Sequence, residues 1–150
     1  MRKPTITDIC LITRDLDTAI GFYTEKLGFT LKHRMPGFAV FAGPGVILAL
    51  WDATHIQETT GVVSQREEPQ GHGVMLAVKL DAPADIDAMH QELVARDVTV
   101  YAPPADYPWN ARCLYVAGPC GELWEYFAWY DGGEPGAVAA TATAEQVSIS

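Results

Sequence analysis

The sequence has no cluster of basic side chains. Ten lysines and arginines are outnumbered by nineteen aspartates and glutamates, which gives a net charge of −9. Because so acidic a chain repels polyphosphate, we predict that the protein does not bind nucleic acid. Long apolar runs are missing too, since no uncharged stretch approaches the ~20 residues that a membrane-spanning helix needs. We therefore expect no membrane association and a protein that stays where it is made.

Cysteine is scarce and lacks a recognisable pattern. Cys10, Cys113 and Cys120 are odd in number, and none of them has the CxxC or CxxH spacing of a zinc site. A chain of 150 residues is also long enough to fold without a disulfide scaffold. These features indicate the reducing cytoplasm.

Hydrophobic residues make up 49% of the chain, enough for the core of one compact domain or of two small modules that share it. In the first half, residues 5–13 are typical of a strand, and Asp15 can cap the helix that follows. Gly28 is a natural end for that helix. Strand-like runs separated by Gly and Pro then follow at residues 29–34, 38–42 and 46–51.

The second half repeats this plan after a polar stretch, residues 52–71, which we interpret as a linker loop. Pro83 suits the first turn of a second helix, and Asp97 tolerates the left-handed conformation at its end. Strands are predicted at residues 74–80, 98–101, 113–117 and 123–129. The small and polar residues 131–150 are predicted to form a tail, mobile or lying on a neighbour.

The two halves together predict an α+β fold. It consists of two βαβββ modules, residues 5–51 and 72–130, within a single domain that spans residues 1–130. The strands at 46–51 and 74–80 are apolar on both faces, as expected where helices cover one face only and bulk water is excluded from the other. Curved mixed sheets would then enclose a pocket, with the helices on the outer face.

Two segments of the sequence resemble the vicinal oxygen chelate superfamily. They are "RDLDTAIGFYTEKLGF", residues 14–29, and "ARCLYVAGPCGELWEYF", residues 111–127. This superfamily includes glyoxalase I, extradiol dioxygenases, fosfomycin-modifying enzymes and the resistance proteins that bind bleomycin or mitomycin. The resemblance spans roughly residues 5–130 and implies the fold and a homodimer, whereas function has to be argued from the site.

The resemblance also implies where the metal-dependent members place their ligands, on the first and last strands of each half. Asp8 stands where the first ligand, usually His, is expected, and Glu125 keeps the carboxylate of the last. The two remaining positions have no suitable donor atom: Leu48 or Ala49, and Val74 or Met75. Because a catalytic ion needs at least three protein donors, we predict no metal and no other cofactor.

One alternative retains a divalent metal. With a shifted register, His72 would join Asp8 and Glu125 in a cluster that suits Fe or Mn. The competing interpretation of His72, which two glycines flank, is a solvent-facing loop residue.

Without an ion, Asp8 and Glu125 are the candidate catalytic and ligand-binding groups. Two carboxylates in an apolar pocket can bind an amine, a guanidine or a polyol, or can act as general acid and general base in a reaction without metal. In the alternative interpretation, Asp8 lies in water and Glu125 pairs with Arg112. Arg112 is also a candidate contact for a ligand carbonyl or phosphate.

Aromatic side chains are the other candidate ligand contacts, because their faces stack on planar molecules and attract cations. The candidates are Trp51, Trp109 and Phe127. Core packing is an alternative for Trp51 and the favoured interpretation of Trp124. Trp109 stands in a Pro-rich loop, where a large aromatic has less reason to serve in packing, and it is the best single candidate.

The leading hypothesis is a metal-free protein that binds a planar, cationic or quinone-like small molecule in a sequestering or resistance role. The rival hypothesis is a lyase, isomerase or dioxygenase that uses an unorthodox metal set or the pair of Asp8 and Glu125. A protein-interaction scaffold with a vestigial pocket is the third. Whether any reaction is catalysed is left open.

Overall fold

A computed structural model describes residues 2–43, 45–63, 72–131 and 133. The chain divides into two compact units, residues 1–71 and 72–150. Each unit contains one four-stranded mixed sheet with helical segments against it, so the predicted α+β class and the two βαβββ modules are confirmed. Neither sheet closes on itself.

Unit 1 forms its sheet in the order β1-β4-β3-β2. Strand β1 pairs in parallel with β4, and the other neighbours are antiparallel. The strands are β1 (Asp8–Thr13), β2 (Thr30–Met35), β3 (Phe38–Ala42) and β4 (Ile47–Asp52). The predicted strands are therefore present, and their ends differ from the prediction by three residues at most.

The helical connection of unit 1 begins at the predicted cap. The Asp15 carboxylate accepts hydrogen bonds from the backbone N–H of Thr18 at 3.0 Å and from its hydroxyl at 2.8 Å. Helix α1 (Leu16–Gly21) continues into a π-helical turn (Phe22–Lys26). Gly28 then takes the left-handed conformation, with φ of 79°, which is available to glycine without a steric cost.

The predicted linker, residues 52–71, is not a loop throughout. Helix α2 occupies Ala53–Thr60, capped by the Asp52 carboxylate, which accepts from the backbone N–H of His55 at 3.0 Å. Ile56 is the one buried side chain of this helix, so the sequence offered almost no apolar periodicity to detect. Residues 64–71 of the predicted linker lie outside the described part of the chain.

Unit 2 forms its sheet in the order β5-β8-β7-β6, again with one parallel pair, β5 with β8. Helix α3 (Pro83–Ala95) has Pro83 in its first turn, as predicted. Asp97 follows with φ of 61°, which confirms the predicted left-handed residue. The strands are β5 (Met75–Lys79), β6 (Val100–Tyr107), β7 (Ala111–Ala117) and β8 (Leu123–Trp129).

Strand β6 differs most from its prediction, because it extends six residues beyond the predicted end at residue 101. It is an edge strand, and its register with β7 shifts between Ala102 and Ala105. Proline is tolerated at edges and bulges, where no ladder hydrogen bond is lost. Pro103 and Pro104 therefore interrupt the pairing without ending the strand.

Each unit has its own core between sheet and helices. In unit 1, α1 packs on β3 and β4, and Tyr23 and Leu50 are fully buried. In unit 2, α3 packs on β6, β7 and β8, and its own Ile86 and Leu93 are fully buried, as is Leu114 of β7. No helix in the described ranges is long and apolar enough to cross a membrane. Apart from residues 131 and 133, the predicted tail lies outside those ranges.

Candidate functional site

The strongest candidate site lies on the face of the unit 2 sheet opposite α3. Along β8, Trp124, Tyr126 and Ala128 are buried, whereas the intervening side chains are partly exposed, in agreement with the predicted alternation. The antiparallel register places Tyr115 opposite Glu125 and Cys113 opposite Phe127. We call this side of β7 and β8 the aromatic face; its members are Ala111, Cys113, Tyr115, Glu125, Phe127 and Trp129.

A hydrogen-bonded pair stands on the aromatic face. The Tyr115 hydroxyl donates to Oε2 of Glu125 at 2.5 Å. Burial, followed by this hydrogen bond, raises the pKa of Tyr115 above its usual value. Tyr115 therefore remains a neutral donor at physiological pH, and Glu125 is held in one orientation as an acceptor.

Aromatic rings border this pair. Tyr107 stacks on Trp109 with ring centroids 4.6 Å apart and planes at 22°. Tyr107 also meets Tyr115 edge to face at 5.9 Å. Farther along the sheet, Phe127 and Trp129 form a second edge-to-face pair at 5.2 Å. Burial and then the charges of Cys113 and Glu125 raise the pKa of Tyr107.

Trp109 has more packing than the sequence indicated. It is half-buried in the turn Tyr107–Asn110, and besides its stack it hydrogen-bonds the Cys113 side chain. Burial is the larger influence on Cys113 and raises the pKa of its thiol to about 11. The structure thus gives Trp109 a packing partner, Tyr107, and its role as a ligand contact remains a prediction.

Arg112 points away from the aromatic face. Its guanidinium binds Asp87 of α3 through Nε and Nη2, at 3.1 and 2.8 Å, and Asp106 through Nη1 at 3.0 Å. These contacts hold the pKa values of both carboxylates below their usual range, with a hydrogen bond from Tyr130 the larger cause at Asp106. The structure thus gives Glu125 and Arg112 different partners, contrary to the interpretation in which they pair. The ligand contact predicted for Arg112 remains untested.

The corresponding face of unit 1 carries Asp8 at the start of β1. Asp8 is exposed and accepts from the neighbouring Thr7 hydroxyl at 2.5 Å. The parallel register places Ile12 opposite Trp51 on the same side of the sheet. Trp51 is partly exposed, and its indole N–H donates to Nδ1 of His55 at 2.9 Å. Trp51 and Asp8 are thus at opposite ends of their strands.

An open groove of about 420 Å³ lies elsewhere on unit 1. Its side chains carry both signs of charge, and several have local structural roles: Asp15 and Asp52 cap helices, and Arg34 binds Asp17. The groove therefore offers less to a ligand than the aromatic face does. It is lined by Arg14, Asp15, Leu16, Asp17, Arg34, Gly37, Asp52, Thr54, His55 and Glu58.

Residues 5–126 match the model of the Glyoxalase/Bleomycin resistance protein/Dioxygenase superfamily. The chain belongs to this superfamily. A crystal structure of a glyoxalase/bleomycin resistance protein/dioxygenase from Nocardioides is 62% identical, covers 90% of this chain and 89% of its own, and superposes with a TM-score of 0.82. A glyoxalase-related enzyme from Fulvimarina pelagi is 27% identical, over 83% of this chain and 87% of its own, with a TM-score of 0.70.

A bleomycin resistance protein of Geobacillus stearothermophilus is 50% identical over 40 residues, which are 27% of this chain and 30% of that protein. Proteins of the same name from Staphylococcus aureus match equally. The match covers less than a third of these relatives. It therefore supports the superfamily rather than a particular ligand.

The residues at the superfamily's metal positions do not fit a divalent ion. The resemblance places two of these positions at Leu48 or Ala49 of β4 and at Val74 or Met75 at the start of β5, and none of these side chains supplies nitrogen or oxygen. Glu125 already accepts a hydrogen bond from Tyr115. Among the residues that the structure describes, no three His, Cys, Asp or Glu side chains form a group that could hold an ion.

His72 does not belong to a strand. Strand β5 begins at Met75, so the structure places His72 before the strand, whereas the metal alternative needs it to be in register with the strand. The exposed His72 ring lies with Nδ1 3.0 Å from the carbonyl oxygen of Gly121 and meets Tyr101 at 5.1 Å. This placement agrees with a loop residue.

Sequence reasoning missed Tyr107, Tyr115 and Glu122. Tyr115 could have been found by pairing β7 with β8 about the turn at Gly118–Gly121, since that register sets it opposite Glu125. Glu122 is 1% exposed and accepts from the backbone N–H of Cys120 at 2.9 Å and the indole N–H of Trp124 at 3.0 Å. No local pattern signals that burial, because a glutamate after a glycine turn is ordinarily solvated.

Proposed function

We propose that the protein binds a planar, cationic or quinone-like small molecule on its aromatic face, without a metal, in a sequestering or resistance role. The observation that carries this proposal is the Tyr115–Glu125 pair bordered by the Tyr107–Trp109 stack. A fixed carboxylate attracts a positive or hydrogen-bond-donating group, while the rings supply flat apolar surface. Asp8 and Trp51 remain candidate contacts from unit 1.

The net negative charge of the chain supports a cationic ligand. A net charge of −9 favours the approach of a cation over that of an anion. A quinone would instead use its carbonyls as acceptors, and Tyr115 can serve as donor only if its hydroxyl leaves Glu125. We therefore expect cations to bind more tightly than quinones.

The test is a panel of three planar probes followed by Trp fluorescence. Ethidium supplies a cation, menadione a quinone, and naphthalene a neutral ring without either group; bleomycin is added because of the named relatives. Ethidium should quench the fluorescence with saturation and raise the melting temperature. Failure of every probe to bind would overturn the proposal.

Substitution at Glu125 tests the location of the binding site. Glu125→Gln keeps the shape and removes the charge, and should weaken ethidium binding by about 1.5 kcal/mol, or roughly tenfold. Asp8→Asn is the matched variant in unit 1; its effect should be smaller because an exposed charge is screened by water. Equal losses in both variants would show that the carboxylates contribute alike.

Metal analysis of the purified protein separates this proposal from the rival enzyme hypothesis. Stoichiometric Ni, Zn, Mn or Fe that is lost in Glu125→Gln would overturn the metal-free proposal.

A homodimer and a cytoplasmic location are further parts of the proposal. Light scattering that gives the mass of one 16.3 kDa chain would remove the dimer.

A further inference from the structure

The turn that carries Trp109 is joined to the chain that follows β8. Within the turn, the backbone N–H of Asn110 donates to the carbonyl of Tyr107 at 3.2 Å. The backbone N–H of Tyr130 donates to the carbonyl of Asn110 at 3.0 Å. Nδ2 of Asn110 donates to the carbonyl of Gly133 at 2.8 Å and lies 3.5 Å from that of Asp131. Asn110 therefore links two turns through both its backbone and its side chain.

Asn110 also has an unusual backbone conformation. Its φ is 63°, and Asp97 is the other non-glycine residue with positive φ in the described ranges. Asparagine tolerates this left-handed region better than most residues, but glycine tolerates it better still. The positive φ alone would therefore favour glycine at this position. The side-chain amide of Asn110 is explained instead by its contacts with the carbonyl oxygens of Asp131 and Gly133.

The geometry points to Asn110 as a positioning residue for the ligand site: by tying the turn to Asp131 and Gly133, it holds Trp109 stacked on Tyr107, the ring that meets Tyr115. This inference rests on the proposed function, since it concerns the same face. A binding surface that is already held in its bound conformation loses less conformational entropy when the ligand binds. Trp109 precedes Asn110 directly, so any rotation of the turn moves the indole.

The variant Asn110→Gly tests the role of the amide separately from the backbone. Glycine accepts the left-handed conformation and removes the side-chain donor. We expect ethidium affinity to fall about fivefold, in line with a loss of preorganisation, and the near-ultraviolet circular dichroism of the Tyr107–Trp109 stack to weaken. Asp97→Gly is the matched control, since Asp97 has φ of 61° and lies at the end of α3. It should leave both signals unchanged.

A double-mutant cycle that combines Asn110→Gly with Trp109→Ala tests whether Asn110 influences ethidium affinity through Trp109. If Asn110 acts through the indole, Asn110→Gly causes no further loss of ethidium affinity once Trp109 is absent. An equal fivefold loss in both backgrounds would overturn the inference, as would unchanged affinity and dichroism in Asn110→Gly alone. Asn110→Asp provides a second variant, in which a carboxylate faces the two carbonyls; it should weaken binding in the same direction.

Failure of the inference is distinguishable from failure of the proposed function. If the wild-type protein binds none of the planar probes, the proposed function fails. The dichroism of Asn110→Gly and Asp97→Gly then still tests the positioning role. A stack that persists without the amide contradicts the inference regardless of what the protein binds.

Discussion

The two units share a topology but place their carboxylates in different surroundings. In unit 1, Asp8 begins a strand, is exposed and contacts the neighbouring threonine. In unit 2, Glu125 lies in mid-strand and accepts a hydrogen bond from Tyr115, whose ring meets that of Tyr107 edge to face. A repeated backbone thus fixes where a side chain points, while its chemistry depends on the neighbours that each unit supplies.

One glutamate from each unit, the buried Glu122 of unit 2 and the exposed Glu58 of unit 1, provides the largest expected contrast in stability. In unit 2, Glu122 is buried and binds Cys120 and Trp124. Glu122→Ala should lower the free energy of unfolding by about 3 kcal/mol, because two donors lose their acceptor in a buried site. Urea denaturation followed by far-ultraviolet circular dichroism measures the change.

Glu58→Ala is the matched control in unit 1, since Glu58 is exposed on α2. It should change the unfolding free energy by no more than about 0.5 kcal/mol. Glu122→Gln keeps one acceptor oxygen and should lose less than Glu122→Ala. Equal midpoints for Glu122→Ala and Glu58→Ala would show that the buried carboxylate does not stabilise unit 2.

Much of the fold could be predicted from the sequence, because alternation and turn residues are local signals. Residues 38–42 and 123–129 form strands with the predicted ends. Helix α2 escaped detection because only Ile56 is buried on it. The full length of β6 escaped because a Pro-Pro pair predicts an end to a strand, and only the tertiary structure shows that β6 is an edge.

The site was predictable in part for the same reason. Alternation along β8 placed Glu125 and Phe127 on one face without knowledge of the structure. The partner of Arg112 could not be found in this way, because Asp87 reaches it from α3, 25 residues away in sequence. Such contacts depend on how a helix packs on a sheet, which no local pattern encodes.

The ion pairs of the two units provide a second, smaller contrast. Arg112 is 22% exposed and binds the two carboxylates of Asp87 and Asp106, whereas Arg34 is 48% exposed and binds the carboxylate of Asp17. We expect Asp87→Asn to lower the melting temperature at pH 7 more than Asp17→Asn does, since exposed pairs contribute little. Differential scanning calorimetry at low salt measures both.

The pH dependence of this contrast has a definite sign. Because Arg112 holds the pKa of Asp87 below its ordinary value of 3.8, the stabilisation is present above that value and is lost as the pH falls through the lowered pKa. The difference in melting temperature between wild type and Asp87→Asn should therefore be constant near neutrality and shrink below about pH 4. A difference that grows on acidification would contradict the pairing.

Thiol reactivity provides the smallest contrast, one that changes no stability. Cys113 of unit 2 is buried and its pKa is raised to about 11, so about one molecule in a thousand carries its thiolate at pH 8. Cys10 of unit 1 is exposed, although partial burial and then the charge of Asp8 raise its pKa too. With a chromogenic disulfide at pH 8, Cys10 should react first and Cys113 only after urea is added. Mass spectrometry identifies which cysteine has reacted. If Cys10 and Cys113 reacted at equal rates in the folded protein, the Cys113 thiol would be accessible, and small molecules could reach the centre of the aromatic face.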